Sequence, residues 1–381
     1  MHLCSQPSTA IRPLLYLLAV IFAPPITGHA QLEKVPKWNV VEDGGTASKL
    51  GAGGNNFIRQ LEIVRPEAAT TAKQLAAINP QLPKLLPRFA ALMASAEISS
   101  RYKEIYDLKL KTLKVGGQLT PHNYFDLETA LRLEDPVTKR KVLLVQSDMD
   151  VVTDGSDPGR APALKDYDLA RSSDWYQPMT AYGWGGSGTA NPFLDYYPKA
   201  LADLQDLRAD LVVKATADKG VIWREMLETC DKQIYRIKAR GMGNSTRQEL
   251  RGRRFLLAGK DPFVVLPVPW VKGSAAWTPQ IGDFVAVIYK GRVYPAVLGD
   301  AGPSDKIGEA SLRLARALNP QADGQTRAIE ELAVTYLFFP RTRKKFAEPN
   351  LSEWRAQVLK LLGDIGGLSD PATLHDWMGE K

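Results

Sequence analysis

The chain has 381 residues, 24% of them charged and 44% apolar, enough for a globular protein with a sizeable core in one large domain or two smaller ones. Its net charge of +7 raises nucleic acid as a partner, but the basic residues are dispersed. The two denser runs, RQELRGRR (247–254) and RTRKK (341–345), lack interleaved stacking aromatics, so they read as solvated faces and no nucleic-acid partner is expected.

The first thirty residues carry Arg12, no acid, an apolar run from Leu14 to Ala23 and Gly28-His29-Ala30 as a small-x-small cleavage site. This is the pattern of a secretory leader, with a mature chain beginning near Gln31. The apolar run is too short to span a bilayer, so no stable membrane insertion is expected. Loss of Cys4 with the leader leaves Cys230 without a partner in the chain, which favours a buried small hydrophobe over a nucleophile. His122 and His375 stand far apart with no paired Cys, so neither a metal site nor any cofactor is expected.

Residues 31–56 are rich in Gly and Asn and predict a linker. Prolines 80, 83 and 87 break an Ala/Leu-rich stretch between Pro66 and Ser99 into two or three short helices. Together, 31–101 form an accessory N-terminal element, and the main domain is expected over 102–367, with 368–381 as a tail. Within that domain 105–115, 122–134 and Lys141–Gln146 predict strands. The next segment, SDMDVVTDGSD, reads as an acidic loop carrying Asp148, Asp150, Asp154 and Asp157. Its spacing does not match an EF-hand, which leaves backbone-bonded turn aspartates or a substrate-facing loop.

Trp175, Tyr176, Tyr182 and Trp184 follow in an aromatic stretch, either sugar-stacking or core. The G-x-G-x-x-G of 183–188 is discounted as a dinucleotide site, because no clear strand precedes it and Asn191-Pro192 stands where a helix should begin. Apolar spacings over 198–241 predict an inserted antiparallel helix pair that buries Cys230. PFVVLPVPWV (262–271) predicts an extended segment whose prolines mark an edge, and Ala333–Phe339 a last strand. Asn350 caps a helix with Leu351, Trp354, Val358 and Leu361 on one stripe, stopped by Gly366-Gly367.

The densest chemistry lies between Gly282 and Leu318. Phe284–Tyr289 alternates as a strand, Lys290-Gly291 turns, Val293–Leu298 returns, and a helix is expected after Pro303. Asp300 then stands at a strand end and Glu309 near a helix start, two rigid supports for a carboxyl pair of the kind glycoside hydrolysis uses. Capping of the helix by these acids is the competing reading.

YFDLETALRL, LLVQSDMDVVTDGSD, DPFVVLP, IGDFVAV, YPAVLGDAGPSDKIGEASLRLAR and VTYLFFP together resemble glycoside hydrolase family 75, the fungal-type chitosanases, in a secreted bacterial form. The resemblance covers roughly 102–367. It implies a mainly β fold built on a six-stranded double-psi β-barrel-like core, and endo-hydrolysis of β-1,4-linked glucosamine polymer with inversion. The family's Asp and Glu fall on Asp300 and Glu309. On that footing Glu309 is expected to be the general acid and Asp300 the general base, with Asp305 the carboxylate nearest to displacing either. A helix dipole at Glu309 would oppose its protonation. Asp148, Asp150, Asp154, Asp157, Asp305 and Tyr176 are expected to bind the substrate, the acids meeting its ammonium groups. The partner is then chitosan or a related polysaccharide, and the protein is expected to act as a monomer. A non-catalytic carbohydrate-binding or cell-wall-associated protein on the same fold is the alternative.

Overall fold

The computed structural model describes residues 40–43, 58–61, 67–114, 127–173, 176–186, 188–217, 221–241 and 243–379. The leader, most of the 31–56 linker, His122 and Trp175 lie outside the described residues. Inside the linker stretch, β1 (Val40–Asp43) pairs with β2 (Ile58–Leu61) as an antiparallel ribbon, so part of it is ordered as strand.

Three short helices follow as the prolines predict: α1 (Ala72–Ile78), α2 (Leu82–Leu85) and α3 (Phe89–Met93). They bury Leu75, Leu82, Phe89 and Leu92 in the same core as the later strands, and β3 (Glu97–Ile98) adds to the main sheet. Asn79 also donates to Thr335, whose hydroxyl donates to Gln146, a buried polar chain tying these helices to the sheet. The segment expected as a strand over 105–115 is instead α4 (Ser100–Lys114). Leu108 and Leu110 suggest a period of two, but Tyr102 and Ile105 are the residues buried, three apart, and that packing selects the helix.

The architecture is a closed six-stranded barrel with additions. Its strands are β5 (Lys141–Val152), β8 (Phe263–Pro267), β9 (Phe284–Tyr289), β10 (Arg292–Gly302), β11 (Glu309–Ser311) and β12 (Ile329–Phe338). Hydrogen-bonded neighbours run β11-β8-β10-β9-β12-β5, and β5 closes onto β11. β4 (Leu127–Glu134) flanks β5 outside the ring and carries β3. Closure leaves the barrel strands without a free edge between them. The Phe-Val-Val-Leu-Pro segment is therefore an interior strand, contrary to the edge its prolines suggest. Pro262 precedes β8, Pro267 ends it, and Pro269 falls in the single turn α8 (Val268–Val271), so no ladder bond is lost mid-strand.

The β9–β10 hairpin forms as expected, with Lys290 and Gly291 both at positive φ (44° and 79°), as a two-residue turn matched to strand twist requires. Both faces of β9 are buried because α10 (Leu351–Asp364) lays Trp354, Val358 and Leu361 against the hairpin. Asn350 caps it by accepting from the Glu353 N–H.

The inserted helices are α5 (Phe193–Ala217) and α6 (Val221–Gly241), which bury Leu204, Leu211, Cys230 and Ile234 between them, followed by α7 (Asn244–Gly252). α5 starts directly after Pro192, so the proline introduces the helix and does not exclude it. The glycines at 183 and 185 lie within β6 (Gly183–Gly185), paired with β7 (Arg253–Phe255), and not in a phosphate-cradling turn. Among the described residues no helix is long and apolar enough to cross a membrane.

Candidate active site

Strand register brings the two catalytic candidates together. β8 lies between β10 and β11. Asp300 is the partner of Val265 on one side, and Ala310 is the antiparallel partner of Val264 on the other, which sets Glu309 opposite Val265. Directly opposed residues share a face, so Asp300, Val265 and Glu309 project the same way. Two strand spacings of about 4.8 Å separate the supporting backbones by roughly 10 Å. The Glu309 side chain leans back over β8: a Cβ on Gly302 of β10 would stand 2.8 Å from its Oε2 and 3.2 Å from Val265. A carboxyl pair held across one strand suits an acid and a base with a water between, for which about 6.5–9.5 Å is needed.

A bulge aims Asp300. The β10–β8 register slips between Leu298 and Asp300, leaving Gly299 as the extra residue. Any Cβ there would lie 2.7 Å from Leu256 and Phe263, so the close approach demands glycine. The Gly299 carbonyl accepts from Tyr182 N–H (2.9 Å), and Asp300 Oδ1 accepts from the Ala181 and Ala301 N–H groups (2.8 Å each). Protein crowds the carboxyl although part of the residue stays accessible. Burial pushes its pKa up to about 7, against the two N–H donors and aided by the charge of Glu309.

Glu309 does not stand at a helix start. It opens β11, and Ser311 is the N-cap of α9 (Leu312–Leu318), its Oγ accepting from Leu314 N–H. The strand extends to Ser311 because Glu309–Ser311 pairs in parallel with Asp150–Val152, so the expected opposition from a helix dipole falls away. Glu309 is 7% exposed. Burial raises its pKa, Lys306 Nζ at 2.5 Å from Oε1 opposes the rise, and Asp150 and Asp305 add to it.

The acidic stretch expected as a loop is half strand. Met149 and Val151 face the core while Asp148 and Asp150 take the alternate face of β5, a period of two that the carboxylates obscure. Both are buried under Arg327: Nη1 lies 2.8 Å from Asp148 Oδ2, and Nε 3.2 Å from Asp150 Oδ1. Beyond the strand, Asp154 accepts from Gln177 N–H. Asp157 has a fully buried carboxylate, gripped by Arg254 and Arg160, the latter also held by Asp261 through two 2.7 Å bonds. Burial works to raise the pKa of Asp157, but hydrogen bonds from both arginines overcome it and hold it below the usual range. These four acids are thus engaged by protein groups and do not form an open ammonium-binding loop.

Tyr176 also turns inward, its hydroxyl donating to the Gly155 carbonyl and its ring against Phe193, which answers the open question for that residue in favour of packing. Tyr182 stacks on Phe346 with centroids 4.3 Å apart, and the Trp184 ring has Arg160 and Arg254 over it. Asp305 remains half-buried in the turn before β11. Sequence reading missed Lys306 and Arg327. Lys306 was within reach, three residues before Glu309, whereas Arg327 is joined to the site only by the pairing of β12 with β5.

Compared with known protein families, residues 149–370 match the family described as fungal chitosanase of glycosyl hydrolase group 75. The chain belongs to this family. The match spans more than half the chain and includes Asp300, Glu309 and most of the barrel. It makes the protein a glycoside hydrolase of chitosanase type acting on polysaccharide. A comparison with individually curated proteins found no match.

Proposed function

We propose that this protein is a secreted, endo-acting chitosanase that cleaves β-1,4 glucosamine linkages with inversion. Glu309 protonates the leaving glycosidic oxygen, and Asp300 takes a proton from the water that attacks the anomeric carbon from the opposite face. The observation that carries this reading is the placement of Asp300 and Glu309 on one face, either side of Val265, both with raised proton affinity. A base with a pKa near 7 is poised close to neutral working pH, and burial keeps the acid supplied with its proton. The charge of Glu309 adds to the burial that raises the proton affinity of Asp300. Asp305, half-buried beside Glu309, is the acid left to meet a substrate ammonium group. The leader is removed near Gln31, and the mature chain acts as a monomer.

Proton NMR of products during digestion of fully deacetylated chitosan tests the reaction. Inversion requires the α-anomer to appear first at new reducing ends, with a mixture of internal chain lengths. Initial release of the β-anomer contradicts the mechanism. Equal rates on fully acetylated polymer contradict the substrate.

A further inference from the structure

Behind Glu309 lies a buried charge cluster that the two-carboxylate reaction does not use. Asp150 is the in-register parallel partner of Glu309, and its N–H donates to the Gly308 carbonyl (3.0 Å), fixing the peptide immediately before the glutamate. Gly308 has φ +86°, and a Cβ there would lie 2.6 Å from the Asp148 carbonyl, so the backbones meet at a point only glycine permits. The Tyr336 hydroxyl bridges the same two carbonyls, those of Asp148 and Gly308. Arg327 is held over β5 by the Ala328 N–H bond to Met149 (2.9 Å) and reaches both Asp148 and Asp150.

Among the described residues, the Arg327 guanidinium is shared between the Asp148 and Asp150 carboxylates. Asp150 Oδ2 is buried with no hydrogen-bond partner. An unpaired buried carboxylate oxygen is costly, and a purely structural clamp would be better served by full bidentate pairing with Arg327. The Oδ2 atom itself has no accessible surface, so that oxygen does not meet substrate directly and acts through its field.

We propose that Asp150, shared with Asp148 under Arg327, is a positioning residue whose carboxylate, beside Glu309 in strand register, keeps the proton on Glu309 for its work as general acid. This rests on the assignment of Glu309 as the acid. The groups facing Glu309 are Asp150 from β5, Asp300 from β10, and Asp305 and Lys306 from the turn before β11, with Arg327 acting through Asp150. Lys306 draws the proton away, and Asp150 and Asp305 hold it. Asp150 differs from Asp305 in being fixed by strand register and shielded from screening by solvent.

The test is a carbon-13 NMR titration of the Glu309 carboxyl in the full-length protein, run beside the pH profile of chitosan hydrolysis. Asp150→Asn is nearly isosteric and should lower the Glu309 midpoint by about one pH unit, moving the alkaline limb of kcat down with it. Arg327→Gln, which removes the compensating cation, should move both upward. Opposite displacements are not expected of two variants that merely loosen the fold. If the midpoint stays where it is in Asp150→Asn while activity falls, Asp150 is structural and the proposal is overturned; an upward shift overturns it as well. Should Asp150→Asn fail to fold, an unmoved or lowered midpoint in Arg327→Gln overturns it in turn. A wild-type protein that leaves chitosan intact defeats the assigned reaction without touching the titration result.

Discussion

Two groups of buried acids in this barrel have opposite surroundings. Asp157 is fully buried, yet two arginines and a backbone N–H surround its carboxylate and keep it ionised. Asp300 and Glu309 are also enclosed, but among the described residues Asp300 meets backbone donors and Glu309 one lysine, and both are pushed toward the protonated form. Burial is common to both groups, so what separates a structural carboxylate from a catalytic candidate is how its charge is compensated. One group holds loops together. The other is biased toward its protonated form, at an energetic cost to the fold.

That contrast is broken most severely at Asp157. Asp157→Asn removes the shared anion from two half-buried guanidinium groups, which keep Asp261 and Glu348 as partners, and should destabilise the protein by about 2–3 kcal/mol, read as a fall in Tm or in denaturant midpoint. Stability within about 0.5 kcal/mol of wild type would show that the network is not structural.

Asp300→Asn should do the reverse. An aspartate of pKa about 7 in the fold and ~3.9 unfolded keeps its proton where the unfolded chain has lost it. Stability therefore declines as pH rises from ~4 to ~7 and levels off above that. Asparagine can still accept from Ala181 and Ala301 and has no charge to desolvate. At pH 8 the variant should be more stable by ~1–3 kcal/mol, below the ~4 kcal/mol of a full three-unit shift because some water reaches the residue. Melting curves at pH 5 and pH 8 check this, and a gain that does not grow with pH would contradict it.

A smaller effect sharpens the picture at Lys306. Its ammonium opposes protonation of Glu309, so Lys306→Met should raise the alkaline limb of the kcat profile by roughly 0.5–1 pH unit. A limb that moves down would assign Lys306 another task.

Much of this arrangement was legible in the sequence, and the failures share a cause. The hairpin of β9 and β10, the stripe on α10 and the helix pair of α5 and α6 all announce themselves because one face is apolar and the period is clean. Asp148 and Asp150 hid the second half of β5, since acids on alternate positions resemble a loop until Arg327 is known to cover them. For the same reason Glu309 looked like the first turn of a helix: only its pairing with Asp150 makes it strand. The candidate residues Asp300 and Glu309 were visible as types, but their shared face comes from β8 threading between β10 and β11, a tertiary fact with no local signal.

The central claim is that this pair performs the hydrolysis. It is tested most directly by reducing-end release from chitosan by the wild-type protein, Asp300→Asn and Glu309→Gln, each confirmed as folded. Both variants should lose about 10²–10⁴-fold in rate while retaining chitosan binding. Wild-type rates in either variant would contradict the account.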